Sequence, residues 1–135
     1  MDERALTEQL IAYDTSGAEG IRRAAGFVRG WLESREVEVR ETQVRGLPVL
    51  VADAGPDNAP TTVLLHGHLD VVPGFEEQFS PRAEGDRLYG RGAYDMKGGL
   101  AALMLAIADL QGIEGIRVRL GIVPDEESEE EVERG

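Results

Sequence analysis

The stretch that most constrains how this 135-residue chain can fold runs from Thr61 to Pro73, TTVLLHGHLDVVP. Thr61 to Leu65 is a short apolar, partly β-branched run with the character of a strand covered on both faces. It then delivers His66, His68 and Asp70 in quick succession. Side chains alternate along an extended chain, so His68 and Asp70 point the same way. An imidazole with a carboxylate on its own face is a natural metal ligand with its orienting partner. The carboxylate accepts the ring N–H that a metal does not use, which fixes the tautomer and raises basicity. The alternative is a pair of polar residues at a strand end with no ligand to hold.

The segments on either side place this strand in an α/β architecture. Apolar residues at helical spacing begin at Ala5, with Leu6, Leu10 and Ile11 close to one face, and the helix is expected to stop near Asp14. Ser16 and Glu19 have the spacing of a capping box ahead of a second helix, whose stripe is Ile21, Ala25, Val28 and Trp31-Leu32. Glu36 to Val44 alternates charged and apolar residues and reads as a half-exposed strand; Leu47 to Ala54 is the next, and Gly55 to Asn58 is a turn. Asp86 to Tyr89 is a short strand before the glycine-rich turn GRGAYDMKGG. Lys97 to Leu110 is a helix with Leu100, Leu103, Met104, Ile107 and Leu110 on one face and Gly112 placed to cap its end. Ile116 to Val123 is a strand ended by Pro124. Strand, helix and strand between Thr61 and Val123 imply parallel neighbours, and the earlier strands add antiparallel ones. The expected fold is a mixed, mainly parallel sheet flanked by helices.

Composition closes off several functions. The net charge is -12, half of it between Asp125 and Gly135, so no basic surface is available for nucleic acid. No cysteine is present, so any metal must use imidazole and carboxylate. No apolar run approaches the roughly 20 residues that span a bilayer. The N-terminus MDERALTEQL carries acids where a signal peptide needs a basic region and an apolar core. The expectation is a cytoplasmic protein with no membrane partner.

The chemistry-bearing groups all fall where strands end. His68 and Asp70 follow the Thr61 strand, Asp95 closes the glycine-rich turn, and Asp125, Glu126 and Glu127 follow the last strand. Open α/β sheets build their sites in the crevice at the carboxyl ends of strands, so the three clusters can converge. Asp95 has a simpler alternative as the N-cap of the helix near Lys97. Glu129 to Glu133 reads as a solvated charge run. Gly90-Arg91-Gly92 begins like a dinucleotide loop, but Asp95 stands where the third glycine would fall. His66-Gly67 has no G-x-S-x-G to serve as an esterase oxyanion loop.

HGHLDVVP, GRGAYDMKGG and PDEE, in that order and with a helix between the last two, resemble the dinuclear zinc deacylases and peptidases. That family includes acetylornithine deacetylase, succinyl-diaminopimelate desuccinylase, aminoacylase and glutamate carboxypeptidases. The resemblance implies a zinc-exopeptidase-like fold and two divalent ions, zinc with cobalt or manganese as substitutes. It implies that His68 is a terminal ligand of one ion, that Asp70 orients His68, and that Asp95 bridges the ions. It makes Glu126 the general base and Glu127 a terminal ligand of the other ion, and it implies a cis peptide bond between Asp95 and Met96. The substrate would be a small N-acyl amino acid or peptide, and the parent enzyme a homodimer. Family members are several hundred residues long and supply two further ligands downstream, together with a dimerisation and lid domain. By the resemblance, residues 1–135 are the N-terminal portion of the catalytic domain. The second expectation is a truncated, catalytically inert domain that at most binds metal weakly.

Overall fold

Arg45 and Gly46 both take positive φ, 54° and 78°, the combination that a two-residue type I′ hairpin turn requires. The turn joins β1 (Glu38–Val44) to β2 (Leu47–Ala54) as an antiparallel pair, with Val44 opposite Leu47. This is a computed structural model, and it describes residues 1–127; the charge run expected over Glu129 to Glu133 lies outside them. The remaining elements are α1 (Glu3–Ile11), α2 (Ala18–Ser34), β3 (Thr61–His68), β4 (Arg82–Glu84), β5 (Arg87–Tyr89), α3 (Gly98–Asp109) and β6 (Ile116–Val123). β4 and β5 form a small separate hairpin.

The main sheet has the order β1-β2-β6-β3. β3 and β6 are parallel, with Thr61 opposite Ile116 and His68 opposite Val123, as the strand-helix-strand pattern requires. The sheet is mixed as expected, but its described part is not mainly parallel, because β2 runs antiparallel to both β1 and β6. The tight hairpin dictates the first of these pairings, and the second follows from β6 inserting between β2 and β3.

The helices pack on one face of this sheet. α2 lies against β1 and β2, α3 against β2, β3 and β6, and α1 against α3. Val39, Leu50, Ala52, Ala54, Val118, Leu120 and Ile122 meet the helical stripes there in one core. Leu6, Leu10, Val28, Leu32, Leu100, Met104 and Ile107 are all fully buried in it, each such side chain worth about 1.5–3 kcal/mol. On β2 and β6 the alternate positions turn the other way, and there Asp53 is held by Arg119 (2.7 Å), Arg40 (3.2 Å) and Arg117 (3.4 Å).

Two local expectations are corrected. The Ser16–Glu19 capping box does not form. α2 starts from Gly17 without a side-chain cap, while Ser16 turns back to Asp14, whose Oδ1 accepts from its backbone N–H at 3.0 Å and from its hydroxyl. β3 is not covered on both faces either. Its only strand partner among the described residues is β6, and Leu64 is 66% and Val63 41% exposed. A strand's burial is set by neighbours that its own sequence does not contain. No helix among the described residues is long and apolar enough to cross a membrane.

Candidate metal centre

Parallel pairing of β3 with β6 brings the ends of the two strands side by side. The ladder continues one step past the strands, where Leu69 donates its N–H to the Val123 carbonyl at 3.0 Å. Asp70 then lies beside the turn that follows β6. Its Oδ1 accepts from the Glu126 backbone N–H at 3.0 Å and its Oδ2 from the Glu127 N–H at 2.7 Å. One buried carboxylate therefore shapes the turn that carries both glutamates.

His68 is nine-tenths or more buried, and its ring is gripped at both nitrogens. Nδ1 lies 3.0 Å from the Asp70 carbonyl oxygen and 3.2 Å from Asp70 Oδ1. Both are acceptors, so Nδ1 carries the proton. Nε2 lies 3.0 Å from Asp95 Oδ1 and 3.7 Å from Glu126 Oε2. In a neutral imidazole that places a nitrogen lone pair against two carboxylates, an arrangement that calls for a second proton or a cation between them. Burial pushes the His68 pKa down, but the bond to Asp95 and the Asp70 and Glu126 charges outweigh it, and the net direction is upward.

Asp95 reaches this point from the glycine-rich turn. It sits in an irregular helical turn, Ala93–Lys97, with non-helical φ and ψ of -125° and 95°. The Asp95–Met96 peptide bond is cis. Asp95 is not the N-cap of α3: that position is Lys97, which makes no side-chain capping bond. Burial raises the Glu127 pKa, and repulsion from the Asp95 and Glu126 carboxylates adds to the rise.

The structure thus brings His68, Asp70, Asp95, Glu126 and Glu127 together, from three separate segments. Ligand atoms of His68, Glu126 and Glu127 lie within 4.8 Å of one another, the spacing of donors around one ion. Nitrogen and oxygen donors without thiolate suit zinc, cobalt or manganese. His66, two residues earlier on β3, is exposed and makes no bond within this group.

Two buried polar residues behind the centre carry little sequence signal. Thr15, fully buried in the α1–α2 loop, donates its hydroxyl to the Leu69 carbonyl at 2.7 Å. Lys97, 1% exposed, donates its Nζ to the Tyr13 carbonyl at 2.8 Å. Burial pushes the Lys97 pKa down to about 8, against the pull of Asp14. The one hint for Lys97 is a charged residue among the apolar and glycine positions that open α3.

Residues 64–135 match the family model described as Peptidase family M20/M25/M40. Succinyl-diaminopimelate desuccinylase of Acidovorax ebreus is 37% identical over 77% of this chain and 30% of its own length. The LysW-lysine/LysW-ornithine hydrolase of Sulfurisphaera tokodaii is 45% identical over 48% of this chain and 18% of its own. Among solved structures, the M20 family metallo-carboxypeptidase Sso-CP2 from Sulfolobus solfataricus superposes with a TM-score of 0.81 at 30% identity, over 94% of this chain and 32% of that one. Human carnosine dipeptidase 1 has a TM-score of 0.78 at 22% identity, a likeness of fold alone. The chain spans between 18% and 34% of the length of each of these proteins.

Proposed function

Since the chain belongs to peptidase family M20/M25/M40, we propose that it carries part of a dinuclear metal centre for hydrolysing the amide bond of a small N-acyl amino acid or peptide. Within this reading residues 1–135 form the N-terminal portion of a metallohydrolase catalytic domain. The observation that carries it is the His68 ring. Its buried Nε2 faces Asp95 and Glu126, with Glu127 beside them, and no side-chain cation among the described residues is paired with these carboxylates.

His68 and Asp95 would hold one ion, Asp95 and Glu127 the other, with zinc the best match to the donors. Bound there, the ions would polarise the scissile carbonyl and acidify the attacking water. Asp70 keeps the His68 proton on Nδ1 and Nε2 free for ligation. Glu126 is the general base: its carboxylate takes the water's proton and passes it to the leaving amine. Asp70 also fixes the Glu126 backbone, so the base and the His68 ligand answer to one carboxylate. Relatives named for desuccinylating diaminopimelate and for hydrolysing LysW-lysine and LysW-ornithine favour an amino-acid amide over a long peptide.

With Asp95 shared, each ion draws two donors from this chain, whereas a catalytic zinc ordinarily has three protein ligands. The expected behaviour of the 135-residue chain is therefore weak zinc uptake and slow turnover. Elemental analysis and hydrolysis of N-succinyl and N-acetyl amino acids, with zinc or cobalt added, test this. Uptake that depends on His68, Asp95 and Glu127, with residual turnover abolished by Glu126→Gln, supports the proposal. Uptake without Glu126-dependent turnover selects the inert metal-binding domain, and absence of specific uptake overturns the metal centre.

A further inference from the structure

The ligand-bearing segments are held apart by a third segment that touches no ligand atom. Residues 13–15, between α1 and α2, bond in both directions. On one side, the Thr15 hydroxyl donates to the Leu69 carbonyl at 2.7 Å, and the Val71 N–H donates back to the Thr15 carbonyl at 3.2 Å. These two bonds clasp the chain immediately before and after Asp70. On the other side, the Tyr13 carbonyl accepts from Lys97 Nζ at 2.8 Å, two residues beyond Asp95. The loop has little room to move. A Cβ on Gly20 in α2 would fall 1.6 Å from the Asp14 carbonyl oxygen, so helix and loop are in direct backbone contact.

We propose that Thr15 and Lys97 are positioning residues of the metal centre: through the rigid Tyr13–Thr15 loop they set the spacing between the His68–Asp70 segment and the Asp95 turn. The inference rests on the metal-centre reading above and deepens it. The His68 ring takes its orientation from the Asp70 carbonyl and carboxylate, and Asp95 must meet Nε2 from the other side. Neither Thr15 nor Lys97 belongs to the apolar core cluster, so exchanging either removes no core side chain, although Tyr13 of the loop packs against that core. What changes is the relative placement of two donors that share an ion. Both anchors are buried, where a bond to a backbone carbonyl has no water to compete with it.

The test uses the full chain and four variants. Thr15→Val keeps the side-chain shape without the hydroxyl, and Thr15→Ser keeps the hydroxyl. Lys97→Met keeps the length without the ammonium, and Val39→Ala weakens the core on β1, at the opposite edge of the sheet from β3. Cobalt uptake, followed by its visible absorption, should weaken about 10–100-fold in Thr15→Val and Lys97→Met, the scale of losing an outer partner of a ligand. Thr15→Ser should stay close to the wild type, and Val39→Ala should lose stability without losing affinity. The second readout is the imidazole 15N spectrum of the metal-free protein, which contains only two histidines. The His68 Nε2 signal should shift in Thr15→Val and Lys97→Met and stay in place in Val39→Ala. Affinities that fall no further than in Val39→Ala, or an unmoved His68 signal, overturn the proposal. If the wild type takes up no cobalt, the metal-centre reading fails by itself, and the 15N spectra still decide whether the brace exists.

Discussion

Exchanging Asp70 for asparagine tests how much of the site's geometry hangs on one carboxylate. Asp70 Oδ1 and Oδ2 each accept a backbone N–H, from Glu126 at 3.0 Å and from Glu127 at 2.7 Å. Asparagine offers one oxygen and one NH2 group. Whichever way the amide turns, a donor faces a donor at one of the two positions. Two bonds to a charged acceptor, at about 1.5–3 kcal/mol each, become one neutral bond of about 0.5–1.5 kcal/mol. The neutral amide is cheaper to bury than the carboxylate, which returns part of the difference. The net expectation is a loss of about 1–3 kcal/mol, larger in Asp70→Ala, where both N–H groups lose their acceptor. Urea unfolding of the metal-free chain measures this. Trp31, 8% exposed in the core, provides a fluorescence signal. Amide hydrogen exchange at Glu126 and Glu127 locates the loss, and both should exchange faster than in the wild type. Zinc affinity should fall as well, by about 10–100-fold. An unfolding midpoint equal to the wild type's, with both amides still protected, would refute the role assigned to Asp70.

Three further outcomes follow from the same structure. Burial pushes the Asp53 pKa up, but the Arg119 bond and the Arg119, Arg117 and Arg40 charges outweigh it, and the net shift is down from 3.8. Its stabilisation is thus complete above the unfolded-state value and is lost as pH falls through the lower folded one; in urea midpoints taken at successive pH values, Asp53→Asn should be less stable than wild type at pH 7 and show a flatter decline in acid. Gly20→Ala should cost about 1–3 kcal/mol or more in thermal melting, because its Cβ meets the Asp14 carbonyl at 1.6 Å and a backbone atom has little freedom to yield. Zinc at 100 times its dissociation constant should stabilise the wild type by about 2.7 kcal/mol, a gain that a chelator reverses and Asp95→Ala abolishes in calorimetry.

Much of the fold is written in local pattern. The α3 stripe reappears as a packed face and the β3-α3-β6 order yields the parallel pair, whereas of the alternation along β1 only Val39 is buried and Thr42 and Val44 stay exposed. The convergence of His68, Asp70, Asp95, Glu126 and Glu127 was legible because all of them follow strands or close a turn beside one. What the sequence did not show depends on long-range partners. Ser16 has the right spacing for a capping box, but its hydroxyl goes to Asp14 in a loop clamped by Thr15 and Lys97. Asp95 has the right position for a helix cap, but it is turned toward His68. The apolar run of β3 suggests a strand covered on both faces, yet Leu64 is exposed, since coverage belongs to the neighbouring strands and helices. Thr15 and Lys97 bond to backbone carbonyls, a partnership that leaves no pattern in side-chain identity.

The grip of Asp70 on Glu126 and Glu127 joins residues 56 and 57 positions apart. The His-Gly-His-Leu-Asp segment is complete as a string of letters long before the chain has made the strand that gives it a shape. During synthesis or refolding, Asp70 has no backbone amides to hold until α3 has crossed over and β6 has slotted between β2 and β3. The assembled donor cluster is then a late product of folding, and any metal capture would report on topology rather than on motif. Any lesion that unzips the far end of β6 should disarm the centre while leaving much of the helical core in place.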